Sequence, residues 1–206
     1  ADDLNGPNQY IRPRDMVIDG NGDIYLTGEM IGSMNIEGTK YNTDPTDIEN
    51  EMLFFVKFDS DGDLVWFRQF NSQNEFSTSF GSRLELANNG DVFVSGSYQG
   101  AAYQGSNLPE IRPEGKEKFI ARFNGSGDLL WITPMGSRLG DQKSYDFGLD
   151  TQDNVYTLLT VSSNIYFADT TILFPYEFES PHLLVKLDGN GNRLFLKETA
   201  YINANG

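Results

Sequence analysis

The chain has 206 residues, 30 acidic against 15 basic, for a net charge of −15, and it has no cysteine. That balance argues against a nucleic-acid partner, which needs clustered Lys and Arg, and offers nothing to an anionic membrane surface. Without cysteine there are no disulfides, no thiol catalysis and no Cys-ligated zinc, and no apolar run nears the roughly 18 residues that insert into a bilayer.

Ala1-Asp2-Asp3 lacks the basic start and apolar run of a secretory signal, so a mature product or a piece of a longer chain is expected. The first patterned stretch is "MVIDGNGD" (16–23), a short apolar strand running into a polar turn. "IYLTGEM" (24–30) follows at once, and after a variable stretch comes "LFFVKFDSDGDLVWFRQF" (53–70). The same order recurs as "LELANNGD" (84–91), "VFVSGSY" (92–98) and "FIARFNGSGDLLWITPM" (119–135). It recurs again as "GLDTQDN" (148–154), "VYTLLTV" (155–161) and "LLVKLDGNGNRLFLKET" (183–199). Gly62, Gly127 and Gly191 stand 65 and 64 residues apart, while Ile24, Val92 and Val155 stand 68 and 63 apart. Length variation therefore sits in the loops of one repeated unit.

Each unit predicts four strands, A to D, rich in Val, Ile, Phe, Tyr and Leu and bounded by Gly, Asn and Asp. Asx-Gly turns join A to B and C to D as hairpins. No helical period of comparable length appears. Evenly spaced sets of four antiparallel strands are the pattern of β-propeller blades. The expected fold is all-β: one β-propeller segment spanning 1–206, its three four-stranded antiparallel blades at about 10–70, 77–135 and 144–199, forming part of a larger ring. Trp66, Trp131 and Phe195 recur in strand D and are assigned to packing between blades. Three blades fall short of the usual roughly four to eight, so the remaining blades are expected from the same parent chain, a second copy or a partner.

The run D-G-N-G-D-I-Y-L-T-G, then F-F-V-K-F-D-S-D-G-D-L-V-W, resembles the bacterial β-propeller repeat abbreviated SBBP. The resemblance covers nearly the whole chain three times. In the third copy "VYTLLTV" lacks the Thr-Gly step and Phe195 stands in place of Trp. The resemblance implies an exported, extracellular or surface-attached bacterial protein, in some cases of the type IX pathway. No C-terminal sorting domain is visible.

Asp59, Asp61 and Asp63 alternate around Gly62 as the ligands of a calcium loop do. The equivalent positions are Asn124, Ser126 and Asp128, then Asp188, Asn190 and Asn192. Charge is diluted while the glycine stays, and no distal bidentate Glu follows, so a hairpin turn is expected, with calcium at Asp59, Asp61 and Asp63 as the alternative. No other cofactor is implied. His182, the single histidine, has no Gly-x-Ser-x-Gly elbow to serve, and a structural role at a loop edge is expected.

An antiparallel A-B-C-D order puts the short A–B and C–D turns on one face and the long B–C and D–A connections on the other. The B–C loops, at 40–52, 104–118 and 171–182, differ sharply, and binding is expected where loops vary on a constant scaffold. The third carries Phe174, Tyr176 and Phe178, candidate contacts for a protein or glycan partner, with packing beneath the loop as the alternative. Asp44, Asp47, Glu49 and Glu51 make the first an acidic, solvated face. The function expected is a non-enzymatic scaffold or interaction module. The alternative is part of a propeller enzyme, a glycosidase or lyase, with carboxylates at the central channel.

Overall fold

The computed structural model describes residues 9–42, 52–72, 80–98, 101–103, 106–107, 117–137, 143–160, 165–167, 170–172 and 182–200. Every regular element among them is a strand. The first unit holds β1 (Tyr10–Ile18), β2 (Ile24–Ile31), β3 (Ser33–Ile36), β4 (Thr39–Asn42), β5 (Met52–Phe58) and β6 (Leu64–Ser72). The second holds β7 (Phe80–Leu86), β8 (Val92–Tyr98), β9 (Ala101–Tyr103), β10 (Ser106–Asn107), β11 (Glu117–Phe123) and β12 (Leu129–Ser137). The third holds β13 (Lys143–Leu149), β14 (Val155–Thr160), β15 (Ile165–Phe167), β16 (Thr170–Ile172), β17 (His182–Leu187) and β18 (Arg193–Ala200).

Each unit builds the expected four-stranded antiparallel sheet: β1-β2-β5-β6, β7-β8-β11-β12 and β13-β14-β17-β18. The B–C connections are not plain loops, however. Each carries a hairpin, and two of these hairpins leave their own unit. β9–β10 belongs in sequence to the second unit, yet β9 pairs with β6 of the first through Phe70, Asn71 and Ser72. β15–β16 of the third unit pairs in the same way with β12 of the second. Each transfer covers an outer strand edge that would otherwise offer bare N–H and C=O groups. At two or three residues per strand, these hairpins are too short for alternation to show in the sequence.

The turns share one geometry. In the β1–β2 connection Asp19 N donates to Asp23 O at 3.0 Å and Gly22 N to Asp19 O at 3.0 Å. The same pair of bonds recurs at Asp59, Ala87, Asn124, Asp150 and Asp188. This is the three-residue hairpin, in which the last loop residue takes a positive φ. Glycine holds that place at Gly62 (φ 89) and Gly127 (φ 77), while Asp153 (φ 59) holds it in the β13–β14 turn. One residue beyond the β5–β6 turn, register slips between Lys57 and Phe58, and the slip recurs in β11 and β17. Val65, Leu130 and Leu194 are the extra residues, which explains why all three are exposed.

Alternation gives each sheet two faces. One face of the first sheet buries Tyr25, Leu53, Phe55, Trp66 and Phe70 against Leu84, Val92, Val94, Phe119, Ala121 and Phe123 of the second. The second sheet turns Phe93, Ile120, Met135 and Trp131 against Phe147, Val155, Leu159, Leu183, Val185 and Leu187 of the third. Each sheet thus has a leading face toward the unit before it and a trailing face toward the unit after. The leading face of the first sheet packs Met30, Met52, Phe54, Val56 and Phe67 under its own β3–β4 hairpin, through Met34, Ile36 and Tyr41.

The assignment of Trp66 and Trp131 to packing between units holds, and each also makes a directed bond. Trp66 Nε1 donates to the Gly125 carbonyl at 3.1 Å, and Trp131 Nε1 to the Gly189 carbonyl at 2.9 Å. Two residues on, Arg68 Nε donates to the Gly127 carbonyl at 2.8 Å, and Thr133 Oγ1 to the Gly191 carbonyl at 2.7 Å. The indole also lies flat against the next turn. A Cβ added at Gly127 would stand 2.8 Å from the Trp66 ring.

Candidate functional site

The repeated acidic turns come first, since they carry the calcium expectation. Asp59 Oδ1 accepts from the backbone N–H groups of Asp61 and Asp63, both at 3.0 Å. Asp19, Asp150 and Asp188 accept in the same two places. So does Asn124, from Ser126 and Asp128 at 3.0 and 2.9 Å. A neutral amide does this work as well as a carboxylate, and Ala87 holds the same place in the β7–β8 turn, so the turn geometry does not depend on a charge there. Among the described residues, no group of three or more His, Asp or Glu is placed to hold a metal ion.

One acid of each A–B turn serves a cation in strand C. Lys57 Nζ lies 2.8 Å from Asp23 and 4.9 Å from the centre of the Tyr25 ring. Arg122 lies 2.8 Å from Asp91 and 5.1 Å from the Phe93 ring centre. Lys186 lies 3.3 Å from Asp150 and 4.7 Å from the Tyr156 ring centre. In the third unit Asn154 stands where Asp23 and Asp91 stand, and the carboxylate has moved four residues back to Asp150. Each unit keeps one carboxylate and one aromatic face around its cation. Burial opposes the Lys57 charge, but its hydrogen bonds to Asp23 and Tyr25 outweigh this and raise its pKa. The Asn154 side chain, two backbone N–H groups and Lys186 hold Asp150 well below the usual carboxylate range. In the sequence the Lys of this motif stands out only as part of the repeat resemblance. Its role is to tie the A–B turn to strand C.

The first strands of the three units lie side by side. Asp15, Arg83 and Asp146 occupy the same place in successive strands, one residue before Met16, Leu84 and Phe147. Arg83 holds Asp146 through two bonds, at 2.7 and 2.6 Å, and Asp15 accepts from Leu84 N at 2.9 Å. The paired Arg83 lowers the pKa of Asp146, and burial raises that of Glu85. Nearer the long connections, a register shift between Pro13 and Asp15 frees Arg14 to bond the buried Glu29, which also lies 3.6 Å from Arg12. Both arginines are half exposed at this end, and Arg12 stacks on Tyr10 at 3.9 Å. Nothing in the repeat pattern pointed to Glu29, because Ser97 and Thr160 hold its place in the other units.

His182 begins β17, and its Nδ1 shares a hydrogen bond with Thr160 Oγ1 at 2.9 Å, in keeping with a structural role. Phe174, Tyr176 and Phe178, and the acidic stretch from Asp44 to Glu51, lie outside the described residues. No described helix is long and apolar enough to cross a membrane. The chain matches no protein-family model and no curated protein.

Proposed function

We propose that the chain is a β-propeller segment of the SBBP kind, working as a non-enzymatic interaction module of an exported bacterial surface protein. Its binding face carries the B–C and D–A connections and takes a protein or glycan. Stacked four-stranded sheets whose first strands lie side by side support the propeller. The observation that carries the binding reading is the contrast between the two ends of the strands. At the short-turn end Asp19, Asp59, Asp150 and Asp188 cap their own turns, and Asp23, Asp91 and Asp150 hold the strand C cation, duties that repeat from unit to unit. At the other end the connections differ in sequence, and Arg12 and Arg14 stand half exposed over a buried Glu29. Fixed guanidinium groups suit a carboxylate-bearing or hydroxyl-rich ligand.

The experiment is a glycan array and a panel of surface proteins probed with the chain, repeated with Y176A/F178A and R12A/R14A. Binders should lose at least tenfold in affinity with either pair. Unchanged affinity for both pairs would remove this face from consideration. The enzyme reading draws on one observation, the carboxyl of Glu85, whose pKa burial raises, near Asp15 and Asp146. Turnover of a polysaccharide that E85Q abolishes would favour it.

A further inference from the structure

The two ends of the chain carry the two halves of a junction that it already makes twice. On the leading side, Met16 and Ile18 of β1 are 54% and 56% exposed. At the place of Met16 the later units carry Leu84 and Phe147, which are only 2% and 5% exposed because a preceding sheet covers them. Met34, Ile36 and Tyr41 shield the outer part of this face, with Tyr41 4.1 Å from Phe67, and leave Met16 and Ile18 bare. Ser60 and Gly62 sit where Gly125 and Gly127, and then Gly189 and Gly191, receive a side chain from the preceding unit.

The trailing side of the third unit shows the complement. Phe195 stands in the place of Trp66 and Trp131, and Lys197 in that of Arg68 and Thr133. Lys197 rests over the Phe195 ring at 5.7 Å, much as Arg68 rests over Trp66 at 5.4 Å. Among the described residues β18 pairs with β17 alone, whereas β6 and β12 each carry the first strand of a transferred hairpin. β3 is the first strand of such a hairpin and pairs with β4 alone.

We propose that these surfaces meet head to tail between two copies of the chain. β3 of one copy adds to the outer edge of β18 of the other. Lys197 donates to the Gly62 carbonyl, beside Asp59, Asp61 and Asp63, and Met16 and Ile18 go under the third sheet. A second copy is the occupant because both internal junctions use this strand pairing and this side-chain-to-turn bond, and because the cation of β18 meets an acidic turn. Two such contacts related by a twofold axis close six units, a number within the usual range for a ring. The closure rests on the propeller reading; the docking does not.

The test is molar mass by light scattering behind a sizing column, in buffer of physiological ionic strength. The wild-type chain should run at twice its 23.1 kDa. M16E/I18E and F195E/K197E should each run at the single-chain mass, while their mixture, which retains one intact leading and one intact trailing face, should recover a two-chain species. All four positions are exposed or half-buried in the single chain, so folding is preserved, which circular dichroism checks. V65E, at a bulge residue exposed alike in every unit, should leave the mass unchanged. A wild-type monomer at the highest soluble concentration would overturn the proposal, and so would a mixture that stays monomeric. A ladder of higher masses that M16E/I18E abolishes would support the docking and overturn the ring.

Discussion

The trailing faces of the first and third sheets are the same surface in two situations, one covered by a neighbour and one not. In the first, Tyr25, Phe55, Trp66 and Phe70 are buried and the indole and guanidinium bond the next turn. In the third, Tyr156, Leu184 and Phe195 are half-buried and Thr199 stands exposed in the place of Phe70. The cation of strand C, with its carboxylate and its aromatic face, is present in both. The difference separates what a unit needs in order to fold from what it needs in order to join. The clamp around Lys57 and Lys186 belongs to the unit, while Arg122, in the same clamp, also reaches across to the Gly189 carbonyl of the next unit at 2.7 Å. The Trp and the Phe or Met four residues later belong to the junction.

The sharpest way to break this division is to remove the ring in each setting. W66A deletes a nearly buried indole, its bond to Gly125 and its contacts with Phe55, so it should cost about 3–5 kcal/mol. F195A deletes a half-buried ring without such a bond and should cost about 1 kcal/mol in the single chain. Urea unfolding monitored by circular dichroism measures both, in the M16E/I18E background that keeps the chain single. Equal losses would mean that strand D packs within its own unit and that the division is wrong.

Glycine at the turns offers a finer comparison. At Gly62 a Cβ meets open space, so G62A adds only the strain of a left-handed alanine, about 1–2 kcal/mol. At Gly127 the same strain applies and the Cβ also drives into the Trp66 ring. G127A should therefore lose about 1–2 kcal/mol more than G62A. In a W66A background the gap between the two glycine variants should close, because the ring that causes it has gone. A gap that persists would place the extra loss elsewhere in the β11–β12 turn.

The sheets and turns were legible because they repeat: alternation in "FFVKF" and "FIARF" fixes two buried faces, and Gly62, Gly127 and Gly191 mark the same turn. Asn124 takes the place of Asp59 in an identical set of bonds, so that turn forms without a carboxylate there. Two kinds of feature escaped. The transferred hairpins were invisible because "AAY" and "IYF" are too short to carry a period and pair outside their own unit. Glu29 escaped because its partner Arg14 is the residue that the bulge in β1 throws out of register, and a bulge has no signature in a Pro-Arg-Asp run.

The smallest effect concerns charge at the inner strands, and here pH separates two classes of carboxyl. Asp146 is held below its ordinary 3.8 by Arg83, and Asp150 by Asn154. Burial opposes the Asp188 charge, but bonds from Asn192 and Asn190 outweigh it, so its pKa is also lowered. These groups contribute stability above 3.8 that is lost as pH falls through their folded values, so the wild-type Tm should hold near neutrality and drop below about pH 4. Glu85 runs the other way. Its folded pKa is raised above 4.5 by burial, so its favourable contribution exists below 4.5 and disappears as pH rises through the folded value. At pH 7 the folded chain thus carries a partly desolvated charge, which E85Q removes. The variant should melt about 1 °C above the wild type at pH 7 and level with it at pH 4, where Glu85 is largely protonated in both states. Differential scanning calorimetry across that range decides it. A difference that stays constant with pH would come from packing of the glutamine, and burial would then not be acting through the charge of Glu85.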